Sequence, residues 1–167
     1  MDRHAKLAYL GVVAFVFPVS LAIGRFGCAL AHDHPGTVTS FPLAISLQTD
    51  AARDYIANAY ASAGLAFPEH ASRLGFHDLG LYEFLYLSLV VVPLFVLLRR
   101  RRQANGFYLT AFAALYLPVR FALDMLRVSD ARYLRFTPAQ WVSAVILAAL
   151  PFAAMQHRKL RLRSVVS

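Results

Sequence analysis

The sequence predicts an all-α, polytopic membrane protein: four transmembrane helices, with a long extracytoplasmic loop between the first and second. Three observations predict it. Of 167 residues, 59% are hydrophobic and 16% charged, against roughly half apolar and about a quarter charged in soluble domains. The apolar residues gather into four segments, about 7–23, 79–98, 107–126 and 137–155, each close to the ~20 residues that cross hydrocarbon as a helix. The first and last of these hold no charged residue. A soluble bundle of four buried helices is disfavoured, because too little polar surface remains to solvate it. Residues 1–167 therefore read as a single membrane domain.

Charge placement sets the orientation. A net charge of +8 and a pI of about 10.2 first point to nucleic acid. Yet ten of the seventeen Lys and Arg are Arg3, Lys6, Arg99, Arg100, Arg101, Arg102, Arg158, Lys159, Arg161 and Arg163. These positions flank spans on one side when both termini are cytoplasmic, the positive-inside pattern. The opposite side holds eight of the nine acids and seven basic residues. The run Arg99 to Arg102 is then a stop signal and a lipid-headgroup contact, and no nucleic-acid partner is expected.

The elements follow in order. The first span, 7–23, has a rival reading: a basic start, an apolar core and Gly27-Cys28 resemble a lipoprotein signal peptide. Arg25 and Phe26 stand where a lipobox needs small or aliphatic residues, so a spanning helix is favoured. The outer loop, 24–78, is too long for a plain connector. Within it, residues 50–64 carry Tyr55, Ile56, Ala59, Tyr60 and Ala63 on one helical face; either a helix on the bilayer surface or a packed lid fits. The second span, 79–98, leads to a tight inner turn at 99–106, punctuated by Asn105-Gly106. The third, 107–126, is apolar up to Val119 apart from Thr110, and then places Arg120 and Asp124 one turn apart. A short outer loop, 127–136, ends at Thr137-Pro138, an N-cap followed by a first-turn proline. The last span, 137–155, runs into the basic tail. Beyond the first-turn Pro138, each span holds one interior proline, at Pro18, Pro93, Pro118 and Pro151; Pro118 either aims Arg120 inward or is simply tolerated.

Arg120 and Asp124 are the most informative residues, because ionisable groups at membrane depth face a protein interior or a wet cavity and mark a working site. Tyr116 shares their stripe. The topology brings Arg25, the run His32-Asp33-His34 with Pro35-Gly36, the cluster His77, Asp78, Tyr82 and Glu83, and Arg127 to the same outer side. Arginines there suit phosphate, since a planar guanidinium gives paired hydrogen bonds to two oxygens. Snorkelling from a helix end is the plainer reading for Arg25 and Arg127, and Arg25 is read as capping the first span. The lone Cys28 excludes an intrachain disulfide; it is either a small packed residue or a reactive thiol near Arg25.

Three blocks then resemble one family. Residues 23–36, IGRFGCALAHDHPG, resemble the GRxGNFxNGExxG signature of the prolipoprotein diacylglyceryl transferases. Residues 76–83, FHDLGLYE, resemble that family's HPSQLYE block at His77, Leu81, Tyr82 and Glu83. Residues 117–133, LPVRFALDMLRVSDARY, followed by Thr137 to Gln140, resemble its RFxxExxR segment and last helix. The departures are Cys28 for asparagine, His32 for glycine, and aspartates at 33 and 124 where the family has glutamates.

The resemblance implies a bacterial inner-membrane enzyme, multi-pass, with its site facing outward. It would move the diacylglyceryl group of phosphatidylglycerol to the lipobox cysteine thiol of a prolipoprotein signal peptide, using no metal or organic cofactor. By matching position, Asp33, His77, Glu83 and Asp124 would serve the chemistry, while Arg25, Arg120, Gly36 and Tyr82 would hold the lipid phosphate. The match corresponds to the C-terminal four of the family's seven spans. Either Met1 is a shortened start or the chain is a shortened paralogue. Two alternatives stand beside the transferase: a non-catalytic phospholipid-binding paralogue, and a metal-dependent membrane hydrolase using His32, Asp33, His34 and His77 as nitrogen and oxygen ligands.

Overall fold

The computed structural model describes residues 3–68, 74–100, 103, 106–128 and 132–166, and for residues 3, 4, 7, 8, 153, 154 and 156–166 it describes the backbone alone. The expected roles of Arg101, Arg102 and Asn105, and of the side chains of Arg3, Arg158, Lys159, Arg161 and Arg163, lie outside the described residues.

Helix α1 (Arg3–Ala31) is longer than the expected first span. Residues 24–31 continue the helix, so the segment outside it begins at residue 32 rather than 24. Arg25 is thus inside the helix, not at its cap. A glycine followed by a charge reads as a stop in sequence, but both are tolerated here because Arg25 has an acidic partner on a neighbouring helix. The true end is a Schellman turn: His32 adopts a left-handed φ of 51°, and Asp33 N–H donates to Cys28 O at 3.4 Å.

Strand β1 (Pro35–Thr39) and strand β2 (Gly75–Asp78) pair antiparallel, with Val38 opposite Phe76 and an irregularity between Pro35 and Val38. The all-α expectation therefore needs correction to a mostly helical fold with one small sheet. Between the strands lies α2 (Asp50–Ser62), capped by Thr49, whose hydroxyl accepts from Ala52 N–H. Ile56 and Tyr60 are buried against Ile45, Phe76 and Val128. Tyr55 is 43% exposed and does not join them. Through Ile56 and Tyr60 the helix's apolar face is thus occupied by this small core.

Helix α3 (Leu79–Tyr86), a π-helical turn at Leu87–Val91 and α4 (Val92–Arg99) form one continuous rod. The wide turn sits next to Pro93, which has no N–H and whose ring crowds the carbonyl four residues back. Val92 N–H reaches Leu87 O instead, five residues back. Next come α5 (Phe107–Met125) and α6 (Pro138–Val166).

Among the described residues, three helical stretches are long and apolar enough to cross a membrane: Tyr9–Ala31, Leu79–Arg99 and Phe107–Met125. The apolar stretch of α6, Pro138–Phe152, is shorter. Helix α1 packs along α3 and α5, and α5 along α6. Gly80 permits the first contact, since a Cβ there would stand 3.0 Å from Ala29 N. Ala22, Leu87, Val91, Phe95 and Tyr116 form the buried seam between the helices. Phe15 ties three helices at the end nearer Arg99, edge-on to Tyr108 at 5.1 Å and stacked on Phe95 at 6.4 Å, with the Arg99 guanidinium 5.6 Å from its ring centre.

Candidate functional site

The buried acids of α3 and α5 organise the site. Helix α3 starts where Asp78 Oδ1 accepts from Leu81 N–H at 2.9 Å. Glu83 follows one turn later, and it is 1% exposed. Three groups converge on its carboxylate. Arg25 Nε lies 2.7 Å from Oε2, the Tyr116 hydroxyl donates to Oε2 at 2.7 Å, and Arg120 Nη1 donates to Oε1. The other Arg120 nitrogen, Nη2, lies 3.0 Å from Asp124 Oδ1. One guanidinium thus bridges two carboxylates, using the fork that only arginine offers. Tyr116, Arg120 and Asp124 do share a stripe, as the four-residue spacing predicts.

Asp124 is fully buried. Its Oδ2 accepts from the Thr137 hydroxyl at 2.7 Å, and Arg127 Nη1 stands 3.9 Å from Oδ1. Thr137 also closes a capping box: Gln140 N–H donates to its Oγ1 at 3.1 Å, and Thr137 N–H donates to Gln140 Oε1 at 2.9 Å. The sequence announced the cap but not the second bond, because nothing in the spacing shows that this hydroxyl reaches another helix. Thr137→Val is expected to lower stability by about 1–3 kcal/mol, the penalty for leaving a buried acceptor unpaired. Thermal unfolding in detergent checks this, and Thr137→Ser should restore most of the loss.

Three guanidiniums, of Arg25, Arg120 and Arg127, face two carboxylates, of Glu83 and Asp124. Strand β1 is held against the end of α5 beside it. Thr37 N–H donates to Leu126 O at 2.8 Å, and a Cβ on Gly36 would come 2.9 Å from His77 Cβ and 3.0 Å from Leu126 O. Gly36 is therefore required by the close approach of β1 to β2 and to the end of α5.

His77, Tyr82 and Asp33 pair with groups other than the Glu83 carboxylate. His77 Nδ1 pairs with the Tyr82 hydroxyl at 3.0 Å, and both line a groove of about 390 Å³ with Phe41, Leu43, Leu85 and Leu123. Burial holds the His77 imidazole below its ordinary pKa. His34 is also held down, first by burial and then by the nearby Arg127. Asp33 is partly exposed, 3.6 Å from His34. The proposed ligand set of His32, Asp33, His34 and His77 is not assembled. His32 Nδ1 is committed to Asp78 Oδ2 at 2.9 Å and His77 to Tyr82. Among the described residues, the group close enough to share a metal ion is Cys28, Asp33 and His34.

Comparison with known proteins bears on this arrangement. The family model for prolipoprotein diacylglyceryl transferase matches residues 2–155. A phosphatidylglycerol–prolipoprotein diacylglyceryl transferase of Chromohalobacter salexigens is 28% identical over 154 residues, covering 90% of this chain and 49% of the relative. The chain thus spans about half that relative's length. No solved structure matches. With the family's match running through all the helices that build the arginine–carboxylate cluster, the chain belongs to the prolipoprotein diacylglyceryl transferase family.

Proposed function

We propose that this chain transfers the diacylglyceryl group of phosphatidylglycerol to the lipobox cysteine of a prolipoprotein signal peptide. The observation that carries the reading is that Arg25 and Arg120, from separate helices, both reach one carboxylate, that of Glu83. Two guanidiniums within joint reach of one anion suit a single lipid phosphate. Four spans in a bacterial inner membrane, both termini cytoplasmic and the site outward, fit the placement of Lys6, Arg99 and Arg100 opposite the acids.

In the proposed reaction, the acceptor thiol's sulfur forms a bond to the glycerol carbon of the diacylglyceryl group. The carbon–oxygen bond to phosphate breaks, and glycerol phosphate leaves with the electron pair. Arg25 and Arg120 stabilise the charge that grows on that phosphate. Glu83 and Asp124 orient the two arginines rather than take a proton, being already engaged by cations and hydroxyls. His77, whose imidazole burial holds below its ordinary pKa, receives the thiol proton. The groove it lines with Phe41, Leu43 and Leu123 accommodates apolar parts of the substrates.

The reading is tested with the purified protein in phosphatidylglycerol vesicles, given a lipobox peptide. A diacylglyceryl thioether on the peptide, detected by mass, supports it. Retention of phosphatidylglycerol with no thioether would overturn the transferase reading in favour of a lipid-binding one.

The proton acceptor gives a pH signature. Because the folded His77 binds its proton less readily than a free imidazole, turnover should hold through neutral pH and fall only below the ordinary imidazole range. Stability should follow the same sign, falling as pH drops through that window, where the unfolded chain binds more protons. Substituting His77 with Gln should flatten the acidic limb of the rate profile.

A further inference from the structure

Cys28 and His34 have no step in the transfer proposed above, and with Asp33 they come together at the end of α1. The helix-ending turn explains how. With His32 left-handed and Asp33 N–H on Cys28 O, the chain doubles back so that residues 33 and 34 stand over the last turns of α1. A non-glycine residue at positive φ is strained, and the His32 bond to Asp78 holds it there. One ligand-capable atom from each of Cys28, Asp33 and His34 lies within 4.8 Å of the other two.

We infer that Cys28, Asp33 and His34 form a binding site for a zinc-class divalent cation at the outer end of α1. The donor set decides the class. Tetrahedral zinc bonds of about 2.0–2.3 Å put ligand atoms roughly 3.3–3.8 Å apart. The His34–Asp33 separation of 3.6 Å already falls in that range, and all three ligand atoms lie within 4.8 Å of one another. Thiolate and imidazole select borderline-soft ions, whereas calcium and magnesium need several oxygens. One thiolate and one carboxylate balance a divalent charge. That balance matters here, because Arg25 and Arg127 lie within electrostatic reach of His34. Asp33 and His34 side chains are 41% and 26% exposed, so the site opens to water and a fourth position is left for solvent.

The test uses the full, tag-free protein in detergent, titrated with cobalt(II) alone. The expected result is one cobalt per chain with a thiolate-to-cobalt charge-transfer band, displaced by zinc. Cys28→Ser should abolish the band. Asp33→Asn and His34→Ala should each weaken binding by at least the roughly 10–100-fold that a lost outer-shell partner costs, while His77→Ala should leave the band intact. Zinc should also slow alkylation of Cys28, the chain's sole cysteine, a readout on the unaltered protein that needs no variant to fold. A cobalt spectrum without the thiolate band, or alkylation indifferent to zinc, would overturn the assignment. Neither readout involves turnover, so the result stands apart from the transferase reading.

Discussion

Replacing Glu83 with glutamine is expected to lower stability by about 3–5 kcal/mol, the cost of leaving a buried charge without its partner. Glutamine keeps the volume and one acceptor oxygen but removes the charge. Arg120 would still have Asp124 at 3.0 Å. Arg25, with 16% of its side chain exposed, would lose the acid 2.7 Å away, which lies inside the membrane-spanning part of α3. Water cannot readily replace that partner at such depth. Tyr116→Phe is the control: it deletes a single bond to the same carboxylate and should cost less, about 1.5–3 kcal/mol. Thermal or denaturant unfolding in one detergent ranks the two variants. If the glutamine variant is as stable as the parent, Glu83 is not the organising charge of the helix seam.

Arg120→Ala should lower turnover by about 10²–10³, the loss typical when one donor to a developing oxyanion is removed. Arg120→Lys should not restore it. Lysine offers a single ammonium on a flexible stem, whereas Arg120 directs Nη1 to Glu83 and Nη2 to Asp124 at once. A lysine satisfying one acid would abandon the other. The discriminating readout is the split between KM and kcat. Because the departing phosphate carries more charge than the bound diester, the deficit should appear mainly in kcat. A lysine variant with parental kcat would mean that charge alone, not the fork, is what the site uses.

Much of this site is legible in the sequence, and the illegible parts have physical causes. The Tyr116–Arg120–Asp124 stripe follows from helical spacing in an otherwise apolar segment, and α5 carries it as expected. The face of α2 was equally visible in Ile56 and Tyr60, which are buried. Tyr55, on the edge of the same face, stays 43% exposed, because a contiguous face in sequence does not say how wide the covering surface is. The end of α1 was misplaced for a different reason. Gly24 and Arg25 read as a stop only when Glu83, nearly sixty residues away, is out of sight; the helix runs on to Ala31 because that acid receives the arginine. The β1–β2 pairing is a long-range event between short segments, set by Phe76 entering the small core around Ile56 and Tyr60, and short strands leave little periodicity to read. The block at residues 76–83 singles out Glu83. Its place at the centre, between two arginines, came only from the crossing of α1, α3 and α5.

The central claim is that Arg25 and Arg120 hold one phosphate together, and a double-mutant cycle on phosphatidylglycerol binding tests it most directly. Arg25→Gln, Arg120→Gln and the double variant would be compared by native mass spectrometry of lipid retained in detergent. Joint coordination predicts that each single change weakens binding and that the second costs less once the first is made, with a coupling of about 0.5–3 kcal/mol. Losses that simply add, within the roughly 0.3–0.5 kcal/mol seen for independent sites, would show two arginines serving separate partners and would contradict the account.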